Sequence, residues 1–462
     1  MTTDLPGPAD GTHRTVLRTL LRRRAFRGLA LGRALTFFGN AMAPVVLAFA
    51  VLDAGGSAVE VGLVVGARSV SNVVLLLLGG LLADRLPRAL VLQGAALTAA
   101  LVQGGVGLAV VTGRAPMGVL VALSVVQGAV AAVSVPASAA LIPRTVPAGR
   151  LRPANALSRM GVNAGMIAGT SSGGLLAAVA GPGWGMALDG VAFLGAALAY
   201  RAAGRALTPS RAADGQGKGS AQEAAVASAG PWRELREGWS ELVSRPWVWV
   251  VVSQFFVVNA VAAGGIQVLG PTVADATFGR TVWGFVLATQ MAGALAGGLL
   301  VARSRARHAL RIGVAVVALD ALPLLALAQP SGVAVLLAAM FVNGLAIEQF
   351  GVAWDLSLQE NIPQEKLARV YSYDALGSTL ALPLGEMAAG PLAERYGPRA
   401  TLVAGTVLVA LVTAGALCSR QVRSLTTGTP RAVTGAPEPS PSGPAAEGSG
   451  AAGTGADGAA AR

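Results

Sequence analysis

Three ionisable residues stand deep inside long apolar runs: Arg68 within 59–83, Glu348 within 332–356 and Glu386 within 369–391. A charge at the centre of a membrane-spanning helix costs about 2.5–3.5 kcal/mol on insertion scales, so such a residue pairs with another or lines a cavity. At 1.5 Å per residue, Arg68 lies about 14 Å from the start of its run, near the middle of a bilayer. It reads as a transport site or as one side of a structural ion pair. A carboxylate such as Glu348, alternately sealed from water and opened to it, is a means of binding and releasing a proton. Glu386 stands in the outer half of its run. Asn40, Gln254, Asn259, Gln267 and Gln290 add uncharged polar groups, for substrate contact or, more in keeping with their type, for hydrogen bonds between helices. Arg68, Asn40, Glu348 and Glu386 form the candidate substrate and proton site. Asp189 and Asp53 are expected near the outer surface as solvated caps.

Other chemistries have little to stand on. The only imidazoles are His13 and His308 and the only thiol is Cys418, which excludes an intrachain disulfide and leaves no set of metal ligands. No Ser/His/Asp grouping suggests an enzyme, no Gly-x-x-x-x-Gly-Lys-Ser/Thr loop suggests ATP hydrolysis, and no cofactor is implied. The net charge of +12 does not indicate a nucleic-acid partner, because the arginines alternate with apolar runs instead of forming one patch.

These polar residues must be held by membrane helices. Hydrophobic residues make up 53% of the chain and charged residues 13%, against roughly 25% charged in average usage, so much of the surface must face lipid. Runs of about 20 apolar residues fall near 29–52, 59–83, 89–111, 116–140, 155–179, 184–203, 247–273, 281–302, 309–328, 332–356, 369–391 and 398–419. They predict an all-α membrane protein of twelve transmembrane helices. The chain divides into a basic N-terminus (1–27), a six-helix bundle (28–203), a linker (204–245), a second six-helix bundle (246–419) and a tail (420–462).

Lys and Arg gather on the cytoplasmic side. They recur before the first run and in alternate loops, at Arg85 and Arg88, at Arg144 and Arg150, at Arg201 and Arg205, at Arg303 and Arg311, and at Lys366 and Arg369. This places both termini in the cytoplasm. Arg395 and Arg399, in a loop on the opposite side, break the rule. The linker is Ala/Gly/Ser-rich at first and then amphipathic over 231–239, suited to a membrane surface. The tail is rich in Gly, Ala, Pro, Ser and Thr and is expected to be disordered. The basic N-terminal segment, with no small-residue cleavage site after a short apolar core, does not suggest a signal peptide.

The loop after the second run, Gly80-Leu81-Leu82-Ala83-Asp84-Arg85-Leu86-Pro87-Arg88, resembles the signature loop of the major facilitator superfamily, Gly-x-Leu-Ala-Asp-Arg-x-Gly-Arg. Pro87 replaces the usual glycine, and Ala89 stands where a second basic residue is common. The resemblance implies a cytoplasmic gate loop through Gly80, Asp84, Arg85 and Arg88, and the major facilitator fold of two pseudo-symmetric six-helix bundles. In the fifth run, Gly165, Gly169, Thr170, Gly173 and Gly174 resemble the antiporter motif Gly-x-x-x-Gly-Pro-x-x-Gly-Gly, with Thr170 in the place of proline. Gln127-Gly128 is also present, but Ser124 occupies the position of the arginine found in proton-coupled drug exporters.

Further stretches look like bacterial exporters related to siderophore and macrolide efflux proteins: Pro136-Ala137 to Ile142-Pro143 with Ala154-Asn155-Ala156-Leu157, and Gln359-Glu360 to Pro383-Leu384-Gly385. Gly39-Asn40 stands where such relatives often carry Gly-Asp. The resemblance implies multidrug-type efflux of a small amphipathic substrate by alternating access, with the proton as coupling ion, by a monomer in a bacterial cell membrane. An importer, symporter or uniporter of the same fold is the alternative, and a membrane enzyme or scaffold fits less well.

Overall fold

The computed structural model describes residues 19–83, 88–147, 150–207, 243–301, 308–329 and 332–425. Asp84 and Arg85, the linker segment 231–239 and the tail beyond residue 425 lie outside the described residues. Regular structure among the described residues is helical throughout. The N-terminal half comprises α1 (Arg24–Asp53), α2 (Ala58–Ala83), α3 (Arg88–Val111), α4 (Met117–Leu141), α5 (Leu151–Val179) and α6 (Pro182–Leu207). The C-terminal half comprises α7 (Pro246–Ala276), α8 (Arg280–Val301), α9 (Ala309–Ala328), α10 (Val333–Asn361), α11 (Gln364–Tyr396) and α12 (Pro398–Cys418). A short α13 (Arg420–Ser424) follows.

Eleven of the twelve long helices are apolar and long enough to cross a membrane; α11 is the exception. It spans 33 residues, so its length is sufficient, but Lys366, Asp374, Glu386 and Glu394 dilute its apolar character. Helical structure extends beyond the apolar runs at several ends. α1 starts at Arg24, so basic residues assigned to the N-terminal segment form its first turns, and α6 continues to Leu207. Residues 420–424, at the expected start of the tail, are helical. There Val422 is fully buried and the Gln421 side chain accepts a hydrogen bond from the Trp247 backbone at 3.2 Å.

The two halves repeat one packing scheme. α1 packs on α5 and α6, α2 on α4, and α3 on α4 and α6; α7 packs on α11 and α12, α8 on α10, and α9 on α10 and α12. Across the halves, α2 meets α11 and α5 meets α8. The turns α1–α2, α3–α4, α5–α6, α7–α8 and α11–α12 share one end of the bundle, and each contains a positive-φ glycine. The tightest is Gly397, which alone separates α11 from α12 at φ 85°. A side chain there would be strained.

The halves touch nearest this end. A Cβ on Gly174 of α5 would lie 2.6 Å from Gly284 Cα of α8, and one on Gly390 of α11 would lie 2.5 Å from Val59 Cα of α2. Only glycine lets the backbones approach this closely.

Candidate functional site

Arg68 is directed into the bundle by what lies behind it. A Cβ on Gly128 of α4 would overlap the Arg68 carbonyl oxygen, so α4 is pressed against the α2 backbone at this level. Two hydrogen bonds hold the contact, from Ser71 Oγ to the Val125 carbonyl at 2.6 Å and from Asn72 Nδ2 to the Gly128 carbonyl at 3.3 Å. The guanidinium then reaches α1, where Nη2 donates to Asn40 Oδ1 at 3.2 Å. Pro44, one turn later, has no N–H to bond the Asn40 carbonyl, which loosens the backbone hydrogen bonding at Asn40.

Two carboxylates lie within electrostatic reach of Arg68: Asp189 on α6 and Glu386 on α11. Both are almost wholly buried, at 0% and 2% exposure. The Gln103 side chain on α3 donates to Asp189, and Ser69 of α2 lies near Glu386. Among the described residues, neither carboxylate forms a direct ion pair with Arg68. Asp189 Oδ1, Glu386 Oε2 and Arg68 Nε are buried without a hydrogen-bond partner among those residues. With Asn40 and Gln103, the cluster draws on four helices of one half and one of the other, and holds one cation and two anions. Fully ionised, it carries one uncompensated negative charge, which a low-dielectric interior tolerates poorly.

Asp189, expected from the sequence as a solvated cap near the outer surface, lies elsewhere. α6 begins at Pro182, so Asp189 is seven residues, about 10 Å, along the helix. It faces Gly39 of α1, whose missing side chain leaves room for its carboxylate. Asp53, also expected as a cap, is an ion-pair partner of Arg280.

Of the four candidate site residues, the structure brings Arg68, Asn40 and Glu386 together. Glu348 is held elsewhere: it lies beside Gly298 of α8 and pairs with Arg159 of α5 at 3.2 Å. Asp320 accepts from Asn343, which accepts from Gln290 in turn, at 2.7 and 2.6 Å. This ties α8, α9 and α10 together. Gln254 similarly joins α7 to α12 through Thr413 at 3.0 Å.

The glycines of the α5 motif serve packing. Gly165 and Gly169 abut the α1 backbone at Ala34 and Phe38, Gly173 abuts Met42, and Gly174 meets α8. Thr170 bonds back to the Met166 and Ile167 carbonyls, both at 3.1 Å, and α5 continues unbroken. In the signature loop, Gly80 belongs to α2 and Arg88 opens α3; Asp84 and Arg85 lie outside the described residues.

Sequence reading missed the part Asp189 and Gln103 play in the cluster, and a second buried arginine, Arg33, which lies by Tyr200 outside it. Arg33 Nε and Nη1 are buried without partners among the described residues, seven residues before Asn40 on the same face of α1. An i, i+7 pair of polar residues in an apolar helix is a usable signal. Gln103 and Asp189 carry none until α3 and α6 are known to pair.

Residues 29–385 match the sequence profile described as Major Facilitator Superfamily. The chain belongs to the major facilitator superfamily. No curated protein matches its sequence. Among solved structures, it is similar to the nucleoside transporter NupG at TM-score 0.64 and 12% identity, covering 85% of this chain and 98% of that one. A bacterial homolog of the human lysosomal transporter Spinster, inward-facing and unoccupied, aligns at TM-score 0.63 and 16% identity over 90% and 98% of the two chains. A POT family transporter in complex with a thioalcohol-conjugated peptide aligns at 0.63 and 9%, over 86% and 96%. At these identities the likeness establishes the major facilitator fold. This major facilitator protein is a multi-pass membrane transporter and not an enzyme.

Proposed function

We propose that this transporter exports a small amphipathic molecule from a bacterial cell in exchange for protons, as a monomer with both termini in the cytoplasm. The observation that carries the reading is the buried cluster of Arg68, Asp189 and Glu386. One guanidinium balances one carboxylate, and a proton balances the other. Glu386 comes from α11, the helix that meets α2 across the halves. Rocking of the halves therefore changes the surroundings of Glu386 relative to Arg68, and couples proton release to the exchange of access.

Export rests on the α5 glycine motif and on the resemblance to efflux proteins. The motif places Gly174 against Gly284 at the contact between α5 and α8, a surface on which one half moves against the other.

The test is proton flux in everted vesicles holding the protein, with siderophores, macrolides and dyes added to an imposed pH gradient. Dissipation dependent on one compound, and lost in Glu386→Gln, supports antiport. Uptake into right-side-out vesicles that runs with the proton gradient replaces export by symport.

A further inference from the structure

The C-terminal half contains a cavity of about 560 Å³ between α7, α11 and α12, backed by Leu324 of α9. It is separate from the polar cluster. Leu384, Gly385, Ala388 and Leu392 face it from α11, whereas Glu386 faces α2. Its walls are apolar: among the described residues, the only polar side chains lining it are Tyr396 and Thr401, and the Thr401 hydroxyl is bonded back to the Gly397 carbonyl at 3.0 Å. A polar solute would find almost no partner here.

The shape follows from the helices that form it. α7 passes through a π-helical stretch, Ala263–Leu269, whose extra residue per turn widens the helix. Gly264, Gly265 and Gly405 keep the walls bare. Leu384, Leu392, Tyr396 and Leu408 are exposed along the groove, on a surface that the bilayer must cover. From Gly385 to Tyr396 is eleven residues, about 16 Å of helix. That is roughly half of a 30 Å hydrocarbon core, the depth of one leaflet.

Charge marks the mouth. Arg395 and Arg399 are exposed at the end of the groove, with the Arg395 guanidinium 5.5 Å from the centre of the Tyr396 ring that lines it. Glu394 is exposed beside them, leaving one net positive charge. Arg280, another cation at this end, is engaged by Asp53 and Asp275. Among the described residues, no ion pair occupies Arg395 or Arg399. Arg395 and Arg399 are the pair in one loop that runs against the charge pattern, whereas Arg114 and Arg280 stand singly in theirs.

We propose that the groove binds one acyl chain of an anionic phospholipid, with Arg395 and Arg399 holding its phosphate at headgroup level. The apolar walls select a hydrocarbon chain, the depth fits one leaflet, and the two guanidinium groups select a negative headgroup. Occupancy braces α11 against α12 and α7, on the side of α11 opposite Glu386.

The full-length protein, stripped of lipid in detergent, is titrated with dioleoyl phosphatidylglycerol or dioleoyl phosphatidylcholine and read by native mass spectrometry. We expect about tenfold tighter retention of phosphatidylglycerol, from two arginines near one phosphate. Arg395→Gln combined with Arg399→Gln, at exposed positions, removes that preference and leaves the melting temperature unchanged. Leu392→Trp fills the groove and weakens both lipids. Equal retention by the unaltered protein overturns the proposal, as does a preference that survives the double substitution. Wild-type binding in Leu392→Trp places the lipid elsewhere and overturns it too. Displacement of phosphatidylglycerol by a transported compound makes the groove a substrate path, which equally overturns a lipid site.

Discussion

Arg280, the first residue of α8, donates through Nη2 to Asp53, the last residue of α1, at 2.6 Å. Its Nε reaches Asp275 of α7 at 2.6 Å, and its guanidinium lies 5.1 Å from the centre of the Phe49 ring. One side chain thus ties the N-terminal half to the C-terminal half at the end where their backbones approach most closely. Arg280 fixes both donor directions at once, which a lysine's single ammonium would not reproduce.

Loss of this tie is expected to loosen that end. The pair is partly exposed, with side chains 19% and 41% accessible, so its contribution is about 1 kcal/mol, a roughly fivefold change in a two-state population. With Cys418→Ser, spin labels at Ala54→Cys and Thr277→Cys read the separation of the halves. Asp53→Asn should increase the share of long distances. An unchanged distribution would mean that glycine packing alone closes this end.

Arg68→Gln is expected to destabilise the protein by about 3 kcal/mol, because it leaves two buried carboxylates without their cation. Adding Glu386→Gln removes one of those charges and should recover part of the loss. Thermal melts of both variants decide the point. If the double variant melts no higher than Arg68→Gln alone, the two groups do not share a charge balance.

Glu348 provides the contrast. Its partner Arg159 is 74% exposed, and surface pairs of this kind contribute about 0–1 kcal/mol. Glu348→Gln should therefore melt within about 1 kcal/mol of the parent and retain proton-coupled flux in vesicles where Glu386→Gln loses it. Loss of coupling in both variants would bring Glu348 back into the proton path.

The spans were legible because each is a run long enough to cross a bilayer, and the family because its loop and glycine motifs stand in order. Arg68, Asn40 and Glu386 were legible singly, as polar residues where insertion is costly. Their meeting was not. Hydropathy gives the depth of Arg68 but not that α11 lies against α2 while α10 keeps Glu348 elsewhere. Asp189 was misplaced because depth along a run says nothing of what packs beside it. α6 begins at Pro182, just before the expected run, and the contacts with Gln103 and the bare Gly39 bury the carboxylate. The role of Gly39 in making room for it depends on which helices pair, and one sequence does not contain that.

Gly128 gives the sharpest test of the site's foundation. A Cβ there would overlap the Arg68 carbonyl oxygen and come within 3.0 Å of the Asn72 nitrogen. These are backbone atoms, which cannot swing aside as a flexible side chain would, so α4 and α2 must part. Such overpacking costs about 1–3 kcal/mol, and it shifts the backbone that aims Arg68 at Asn40. Gly118 is on the same helix with nothing near its would-be Cβ. Gly118→Ala should be neutral or slightly stabilising, since alanine is the better helix former. Gly128→Ala should lower the melting temperature and weaken proton coupling together, while Gly118→Ala lowers neither. If the two alanine variants melt alike, α4 does not press on α2 at Arg68, and the placement of the guanidinium needs another cause.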